Sequence, residues 1–327
     1  MSHKSEKTSR KKEKVNTTGH TETAVQPSGD LHEGTIIKGY SGFYYVALGD
    51  ALYECSLRGK NRQKKIKFLP GDKVLFRIGD GVDDDTRGGA IEELLPRKNE
   101  LTRPPVANLD QLIILAALYD PVPDLRLIDR LTVFAQWNEV TPVICFNKSD
   151  LVSKEEQQKL AEIYRPTGFP VIFCSTVTGE GIEEVKQILK GKFSVLAGNS
   201  GVGKSSLMNA ISDQWQLATG HVSEKLGRGR HTTRHVELFQ LDGDTLIADT
   251  PGFSTLTLPE DIKREELSRL FPEFLSRISD CRFATCMHKN EPDCAVKEAL
   301  AQNEVAESRY ENYLAFLEEV IQQERSF

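Results

Sequence analysis

The residues with the most specific chemistry form the segment GNSGVGKS at positions 198–205, which matches the phosphate-binding pattern G-x-x-x-x-G-K-[ST]. An apolar run, FSVLA, precedes this segment, and the helix-forming run SSLMNAI overlaps its end. Glycines let backbone N–H groups surround phosphate oxygens, and a helix N-terminus favours the same anion. The sequence therefore predicts nucleotide-phosphate contacts from Gly198, Asn199, Ser200, Gly201, Val202, Gly203, Lys204, Ser205 and Ser206.

Phosphoryl transfer also needs a bound metal ion and groups that respond to the γ-phosphate. Lys204 is expected to reach the β- and γ-phosphates, and the Ser205 hydroxyl is expected to bind Mg²⁺. Asp249 ends the apolar run TLIAD and is predicted to orient the water shell of the metal ion. Gly252, three residues later, is predicted to donate its N–H to the γ-phosphate and to move when that phosphate leaves.

A basic segment, GRGRHTT at positions 227–233, lies between the phosphate-binding motif and Asp249. Its Thr232 or Thr233 can complete the Mg²⁺ shell in the triphosphate state, and we favour Thr233. The alternative is an ordinary surface loop.

Base recognition is predicted from a second motif, NKSD, which follows the apolar run TPVICF. Asp150 can accept hydrogen bonds from N1–H and N2–H₂ of guanine, whereas adenine does not offer both donors in that arrangement. Lys148 is expected to pack along the base, and Asn147 to tie loops together, with Ser149 between them and the carboxylate. Ser175 and Thr176, after PVIFC, are expected to bring a backbone N–H to the guanine carbonyl.

The order of these motifs differs from that of the usual GTPase, in which the phosphate-binding loop comes first and N-K-x-D comes late. Here N-K-x-D at 147 precedes the loop at 198, which precedes D-x-x-G at 249. The sequence therefore predicts a circularly permuted GTPase domain. In this order the switch segment runs directly into the C-terminal helices, so the nucleotide state can be passed to them.

The third motif is a set of possible metal ligands near the C-terminus, in the pattern C-x₄-C-x-H-x₅-C. Three thiolates and one imidazole fill a tetrahedral zinc site completely, which is typical of a structural site. The predicted ligands are Cys281, Cys286, His288 and Cys294. The alternatives are core cysteines without metal and a redox pair. Cys55, Cys145 and Cys174 are scattered in predicted strands and are interpreted as small buried side chains.

The elements around these motifs predict a multidomain chain. Residues 1–30 are interpreted as a disordered basic tail, which is either only solvated or an auxiliary RNA-contacting arm. Residues 31–99 contain five short strands, as in an N-terminal OB-fold barrel, and an SH3-like barrel fits almost as well. Residues 100–257 alternate strands and helices, as in an α/β GTPase domain. Residues 258–327 are predicted to form an α-helical zinc-binding domain.

A basic loop on the predicted barrel suggests a nucleic-acid partner. Positions 58–67 hold six basic residues and no acidic one. Tyr40, Phe43, Tyr44 and Tyr45 add aromatic faces nearby in the sequence, a combination that suits looped RNA. The alternative is that the aromatic rings belong to the core and that the loop is only solvated.

The composition is compatible with this reading. The chain has 327 residues, is 39% hydrophobic and carries a net charge of −6, but residues 1–14 alone carry +4, so a local basic surface is not excluded. No run approaches the roughly 20 apolar residues of a membrane helix, and the N-terminus lacks a secretory pattern. We expect a cytoplasmic monomer.

The motif order together with the Cys₃His spacing closely resembles the small-ribosomal-subunit biogenesis GTPases of bacteria, the RsgA or YjeQ family, over about residues 31–325. The resemblance implies a cytoplasmic GTPase that binds the small subunit late in its maturation and contacts ribosomal RNA. It also implies that GTP hydrolysis is faster on the subunit, with one structural zinc ion and with Mg²⁺ bound together with GTP.

The group that positions the attacking water is not evident from the sequence. Ras-like enzymes place a Gln just after D-x-x-G, but here Phe253 stands at that position and cannot orient water. Slow intrinsic turnover is therefore expected, and His231 is a candidate for the missing group. Two other functions stay open: an RNA-binding GTP sensor with negligible hydrolysis, and an ATP-using enzyme such as a small-molecule kinase, against which NKSD argues.

Overall fold

The computed structural model describes residues 30–40, 42–57, 67–79, 87–212, 236, 238–249 and 257–325, with Asp249 described by its backbone alone. The predicted residues His231, Thr233, Gly252 and Phe253, and positions 58–66 of the basic loop, lie outside these ranges. The described residues form a barrel, a six-stranded sheet with helices on both faces, and a helical C-terminal part.

Five strands form a closed barrel in the order β1-β2-β3-β5-β4. Strand β3 pairs in parallel with β5, and β1 closes the barrel against β4. Because apolar residues alternate along these strands, one face fills the barrel with Ile36, Val46, Val74, Phe76 and Ile91. The barrel is OB-like, as predicted. The strands are β1 (Leu31–Tyr40), β2 (Phe43–Leu48), β3 (Ala51–Leu57), β4 (Lys73–Ile78) and β5 (Arg87–Leu94).

A two-stranded hairpin that was not predicted, β6 (Glu100–Thr102) and β7 (Pro105–Ala107), follows the barrel and joins it to the sheet. Ala107 N donates to Pro70 O at 3.0 Å, and Asn108 Nδ2 donates to Gly71 O at 3.0 Å. Gly71 is required at this contact, because a Cβ on it would lie 2.1 Å from Ala107 O and its φ is +91°. The barrel is thus held closely against the hairpin that leads into the sheet.

The central sheet has the order β10-β9-β8-β11-β13-β12, and all neighbours are parallel except β12 and β13. Its strands are β8 (Gln111–Ala117), β9 (Thr141–Asn147), β10 (Val171–Phe173), β11 (Phe193–Ala197), β12 (Leu238–Asp242) and β13 (Thr245–Asp249). All seven residues of β8 are buried, because helices cover both of its faces.

The helices of this sheet are α1 (Leu125–Trp137), α2 (Lys154–Tyr164), α3 (Ile182–Leu189) and α4 (Lys204–Ile211). Helices α1 and α2 pack on one face, with Ile114 and Ala116 of β8. Helices α3 and α4 pack on the other, with Ile113 and Leu115. Neighbouring strands β8 and β11 are therefore followed by helices on opposite faces. In such sheets ligands bind at the carboxyl ends of the strands at this switch point.

The C-terminal part contains α5 (Arg264–Leu267), α6 (Pro272–Ile278), α7 (Ala295–Ala301) and α8 (Glu307–Arg325). The sequence pattern from Asp261 to Phe274 predicts one amphipathic helix, and this prediction is wrong. The helix breaks at Phe271, whose backbone is extended because Pro272 follows it and begins α6. In α8, the sequence predicts an apolar stripe that serves packing, and the structure confirms it, because Tyr313, Leu317 and Val320 of this stripe lie in the core.

None of the helices within the described ranges has the length and apolarity that a bilayer crossing requires.

Candidate functional site

The two predicted nucleotide motifs lie side by side. Asn147, the last residue of β9, donates from Nδ2 to Val202 O inside the glycine-rich loop at 3.0 Å. A Cβ on Gly203 would lie 2.3 Å from the same Nδ2, and Gly203 has φ +95°. Only glycine therefore lets the loop approach Asn147 this closely.

The loop at 198–203 begins where β11 ends and leads into α4. Gly198 has φ +151°, and a Cβ there would lie 2.1 Å from Leu115 O of β8. Gly203 is the N-cap of α4 and offers no side-chain cap, so the first turn of the helix can present its N–H groups to an anion. Lys204 Nζ donates to Gly198 O at 2.8 Å and to Asn199 O at 2.9 Å, so the ammonium group lies across the loop. Ser200, Gly201, Ser205 and Ser206 are exposed.

The turn after Asn147 presents the remaining residues of the second motif. Lys148 adopts a left-handed conformation with φ +62°, and its Nζ donates to the carbonyl of Asp120, just after β8. Ser149 is buried, and its N–H donates to Cys174 O at 3.0 Å. Asp150 is exposed and has no hydrogen-bond partner among the described residues. Its carboxylate is thus available at the mouth of the site.

Ser175 lies beside this turn but turns inward. Its Oγ accepts from Val177 N at 3.2 Å and from Thr178 N at 3.1 Å, while Thr176 is half-buried. The backbone of Asp249 pairs with Leu196 of β11, so β13 ends beside the glycine-rich loop. The carboxyl ends of β8, β9, β10, β11 and β13 therefore meet at one edge of the sheet, where the predicted residues described here lie.

The segment at 118–124 borders the site, although it carries none of the predicted motifs. The Asp120 carbonyl binds Lys148, and a Cβ on Gly201 would lie 3.7 Å from Pro121 Cδ. A carbonyl contact has no side-chain signature, but the position of DPVPD directly after a buried strand was the available signal.

The two cysteines of the sheet are core side chains and do not line the candidate site. Cys145 and Cys174 are fully buried, with their Sγ atoms 3.5 Å apart. The hydrogen bond shared with Cys174 and burial raise the pKa of Cys145 well above its ordinary value, so the thiol stays protonated. Cys55 is likewise buried in the barrel, and the interpretation of all three as small core side chains is confirmed.

The four predicted metal ligands converge in the C-terminal part, in the segment between α6 and α7. Their ligand atoms all lie within 4.8 Å of one another. His288 Nδ1 is 3.6 Å from the Sγ of Cys281 and 3.4 Å from that of Cys294, and these two sulfurs are 4.0 Å apart. Tetrahedral zinc with ordinary bond lengths has ligand separations of about 3.5–3.8 Å. Cys281, Cys286, His288 and Cys294 could therefore hold one metal ion, with His288 binding through Nδ1.

Neighbouring groups fix the loop that carries these ligands. The Glu291 carboxylate accepts from the backbone N–H of Met287, Lys289 and Asn290 at 2.9–3.1 Å. Burial tends to raise the pKa of Glu291, but these donors outweigh it, and the pKa lies below its ordinary value. From α8, Tyr310 OH donates to His288 O at 2.7 Å and Tyr313 OH to Met287 O at 2.8 Å.

Comparison with known proteins agrees with this architecture. The family model described as the RsgA GTPase matches residues 94–259, about half of the chain, and the model of the RsgA N-terminal domain matches residues 33–88. The chain belongs to the RsgA GTPase family. The predicted family and the assignment as a GTPase are thereby confirmed.

Relatives in the RsgA GTPase family are similar over nearly their whole length. The small ribosomal subunit biogenesis GTPase RsgA of Carboxydothermus hydrogenoformans is 50% identical, over 90% of this chain and 99% of that protein. The protein of the same name from Agathobacter rectalis is 45% identical, over 88% of this chain and 97% of that protein.

Two solved structures of this family show the same fold. YjeQ from Thermotoga maritima has a TM-score of 0.74 and 38% identity, covering 89% of this chain and 99% of that one. YloQ, described as a circularly permuted GTPase, has a TM-score of 0.74 and 35% identity, covering 94% of this chain and 99% of that one. The predicted multidomain fold and circular permutation are confirmed.

Proposed function

We propose that the chain is a GTP hydrolase that acts as a late-stage assembly and maturation factor of the small ribosomal subunit, binds ribosomal RNA and is stimulated by the subunit. The observation that best supports GTP binding is the hydrogen bond between Asn147 and Val202, because it joins a guanine-recognition motif to a phosphate-binding loop in one site. The names of the relatives, small ribosomal subunit biogenesis GTPase, support the ribosomal part.

In this proposal, each residue of the site acts on one part of GTP. Asp150 recognises guanine, and Lys148, held at the Asp120 carbonyl, packs along the base. The amides of 198–206 surround the phosphates, while Lys204 leaves the loop carbonyls for the β- and γ-phosphates. Ser205 and Thr233 would hold Mg²⁺, which neutralises charge on the phosphates, and Asp249 would orient its water shell. Gly252 is proposed to donate its N–H to the γ-phosphate and to move when that phosphate leaves.

Replacement of the loop lysine tests the phosphate site. Lys204→Ala is expected to lower GTP turnover by at least about 100-fold, since a positioned donor to developing charge contributes this much. Turnover is measured by phosphate release, and Lys190→Ala, which removes an exposed lysine at the end of α3, is the control. Retained turnover in Lys204→Ala would refute the assignment of the loop.

The barrel is the proposed RNA-binding part. Tyr40 and Phe43 pair at the tip of the β1–β2 hairpin and are 61% and 47% exposed. Tyr44 and Tyr45 are half-buried, with the Tyr44 ring 5.0 Å from Phe68, so they belong partly to the barrel wall. The exposed pair offers faces on which unpaired bases can stack, and the basic residues at 58–67 add charge for the phosphates.

The domain limits stay as proposed: a tail at 1–30, a barrel at 31–99, a GTPase domain at 100–257 and a zinc-binding domain at 258–327. The remaining proposals are a cytoplasmic, monomeric protein with GTP or GDP and the small subunit as partners, and zinc as the metal of the Cys₃His cluster.

Small subunits are expected to bind in a nucleotide-dependent way and to accelerate hydrolysis. Co-sedimentation with purified subunits should be stronger with a non-hydrolysable GTP analogue than with GDP. Single-turnover hydrolysis with and without subunits then separates an enzyme from a passive GTP sensor, because only the enzyme is accelerated.

The same assay on His231→Ala tests the missing catalytic group. We expect the variant to bind subunits normally and to lose most of the stimulation. Equal stimulation of both proteins would remove His231 from the mechanism.

A further inference from the structure

Helix α1 lies between the proposed nucleotide site and the C-terminal helices. Leu131 and Phe134 of α1 belong to the core of the sheet, whereas Val133 belongs to the core of the C-terminal part. The helix therefore contacts both parts of the protein.

The N-terminus of α1 is continuous with the segment that borders the site. Asp124 caps the helix by accepting from Leu127 N at 3.0 Å, and the Asp120 carbonyl, four residues earlier, receives Lys148 Nζ. Residues 121–124 and the start of α1 also face Gly198, Asn199 and Val202 across a narrow cleft. The Asp120 carbonyl, which contacts the turn of Lys148, is thus separated from the start of α1 by only four residues.

The C-terminal part forms hydrogen bonds to α1 through Arg309, a fully buried arginine of α8. Arg309 Nη1 donates to Asp129 Oδ1 of α1 at 2.8 Å and to Thr132 Oγ1 at 3.3 Å. Its Nε and Nη2 donate to the two Glu273 oxygens of α6 at 2.7 and 3.0 Å. One arm of the guanidinium therefore holds α1, and the other holds a helix of its own C-terminal part.

A second ion pair links the same two helices. Arg130 of α1 donates to both oxygens of Glu319 of α8 at 2.6 and 2.7 Å. Tyr310, next to Arg309, binds the carbonyl of His288 in the metal-ligand loop. The contacts from that loop through α8 and α1 to the turn of Lys148 are thus continuous.

We propose that Arg309 is a positioning residue of the GTPase site: by holding Asp129, it fixes α1 and, through it, the Asp120 carbonyl that anchors Lys148. This inference rests on the proposed nucleotide site. A purely structural arginine would affect only the stability of the fold, whereas a positioning residue also affects guanine-nucleotide affinity in the folded protein. The two arms of Arg309 separate these roles, because only one arm reaches α1.

The first experiment compares Asp129→Ala with Glu273→Ala in the full chain, using fluorescent GDP below the unfolding temperature of each variant. Both changes leave buried donors of Arg309 unpaired, so both should lower the unfolding temperature. Only Asp129→Ala should weaken GDP binding, by about tenfold, a factor typical of coupling between sites. Asp129→Asn should restore the affinity, because its amide oxygen still accepts from Nη1 and its NH₂ group can donate to a rotated Asn312 amide.

The second comparison avoids fully buried charge and so does not depend on folding of the alanine variants. Arg130→Met and Arg264→Met each remove an arginine paired with a glutamate of α8, Glu319 or Glu324, but only Arg130 belongs to α1. Arg130→Met should raise the Kd for GDP, and Arg264→Met should leave it within about twofold.

One outcome would refute only the positioning role of Arg309, and another would refute the proposed function as well. If wild type binds GDP and the α1 variants bind it equally well, the positioning role is refuted and the proposed function stands. If wild type itself binds no guanine nucleotide, the proposed function fails, and the inference fails with it.

Discussion

A chain carrying Asp150→Asn is expected to lose affinity for GDP and to gain affinity for xanthosine diphosphate. Asp150 is exposed at the mouth of the site, in the turn that Asn147 fixes against the phosphate loop, so its carboxylate can accept both N1–H and N2–H₂ of guanine. An asparagine at this position can still accept from N1–H through its amide oxygen. Its NH₂ group, however, would face the guanine N2–H₂ group, and two donors cannot form a hydrogen bond with each other. The loss of one hydrogen bond to a charged group, the weakening of the other and the two opposed NH₂ groups together should cost about 3–6 kcal/mol, a factor of roughly 10²–10⁴ in Kd.

Xanthine carries a carbonyl in place of the guanine amine, so the asparagine amide can donate to it. The measurement is competition of GDP, XDP and ADP for the site in wild type and variant. Glu155→Gln, an exposed acid-to-amide change in the first turn of α2, should bind GDP as wild type does. If Asp150→Asn still prefers GDP, Asp150 does not read the base. Tight ADP binding by wild type would instead favour the kinase alternative.

The sequence predicts those parts of the site that depend on local chemistry. Glycines at 198, 201 and 203 are required by positive φ angles in one loop, so a short motif identifies it. Strands β8 and β11, which precede the loop in the chain, are predicted because both faces of the sheet are covered: every residue of these two strands is buried, which gives continuous apolar runs. A buried strand followed by a motif therefore places that motif at the binding edge.

Elements that depend on distant contacts were not predictable. Strands β6 and β7 have three residues each, too few for a periodic signal, and are held through Ala107 against the turn at Pro70. Arg309 appears as a charged residue on an amphipathic helix, and nothing local indicates that it pairs with Asp129, 180 positions earlier. The break before Pro272, by contrast, could have been predicted, because the residue before proline disfavours helix.

Metal removal tests the C-terminal part and is expected to have the largest effect on stability. We expect one zinc ion per chain by elemental analysis, and loss of cooperative unfolding of the C-terminal helices when a strong chelator removes it. The reason is that Cys294 is part of the core formed by α5–α8, and that Cys281 and Cys286 pack against this core. Binding to structural sites of this kind contributes roughly 10–16 kcal/mol that the metal-free loop lacks.

Single substitutions make this test specific. Cys286→Ser should lose the metal, whereas Cys55→Ala, which changes a buried cysteine of the barrel, should keep it. The two alternatives to a metal site predict different chains. A disulfide, as in a redox pair, would make the purified, metal-free chain two mass units lighter than its reduced form. Core cysteines without metal would give a chain that is metal-free, fully reduced and stable.

Because Tyr310 and Tyr313 bind carbonyls of the same loop, loss of the metal should also release α8. GDP affinity should then fall in wild type but change less in Asp129→Ala, in which the link from α8 to α1 through Arg309 and Asp129 is already lost.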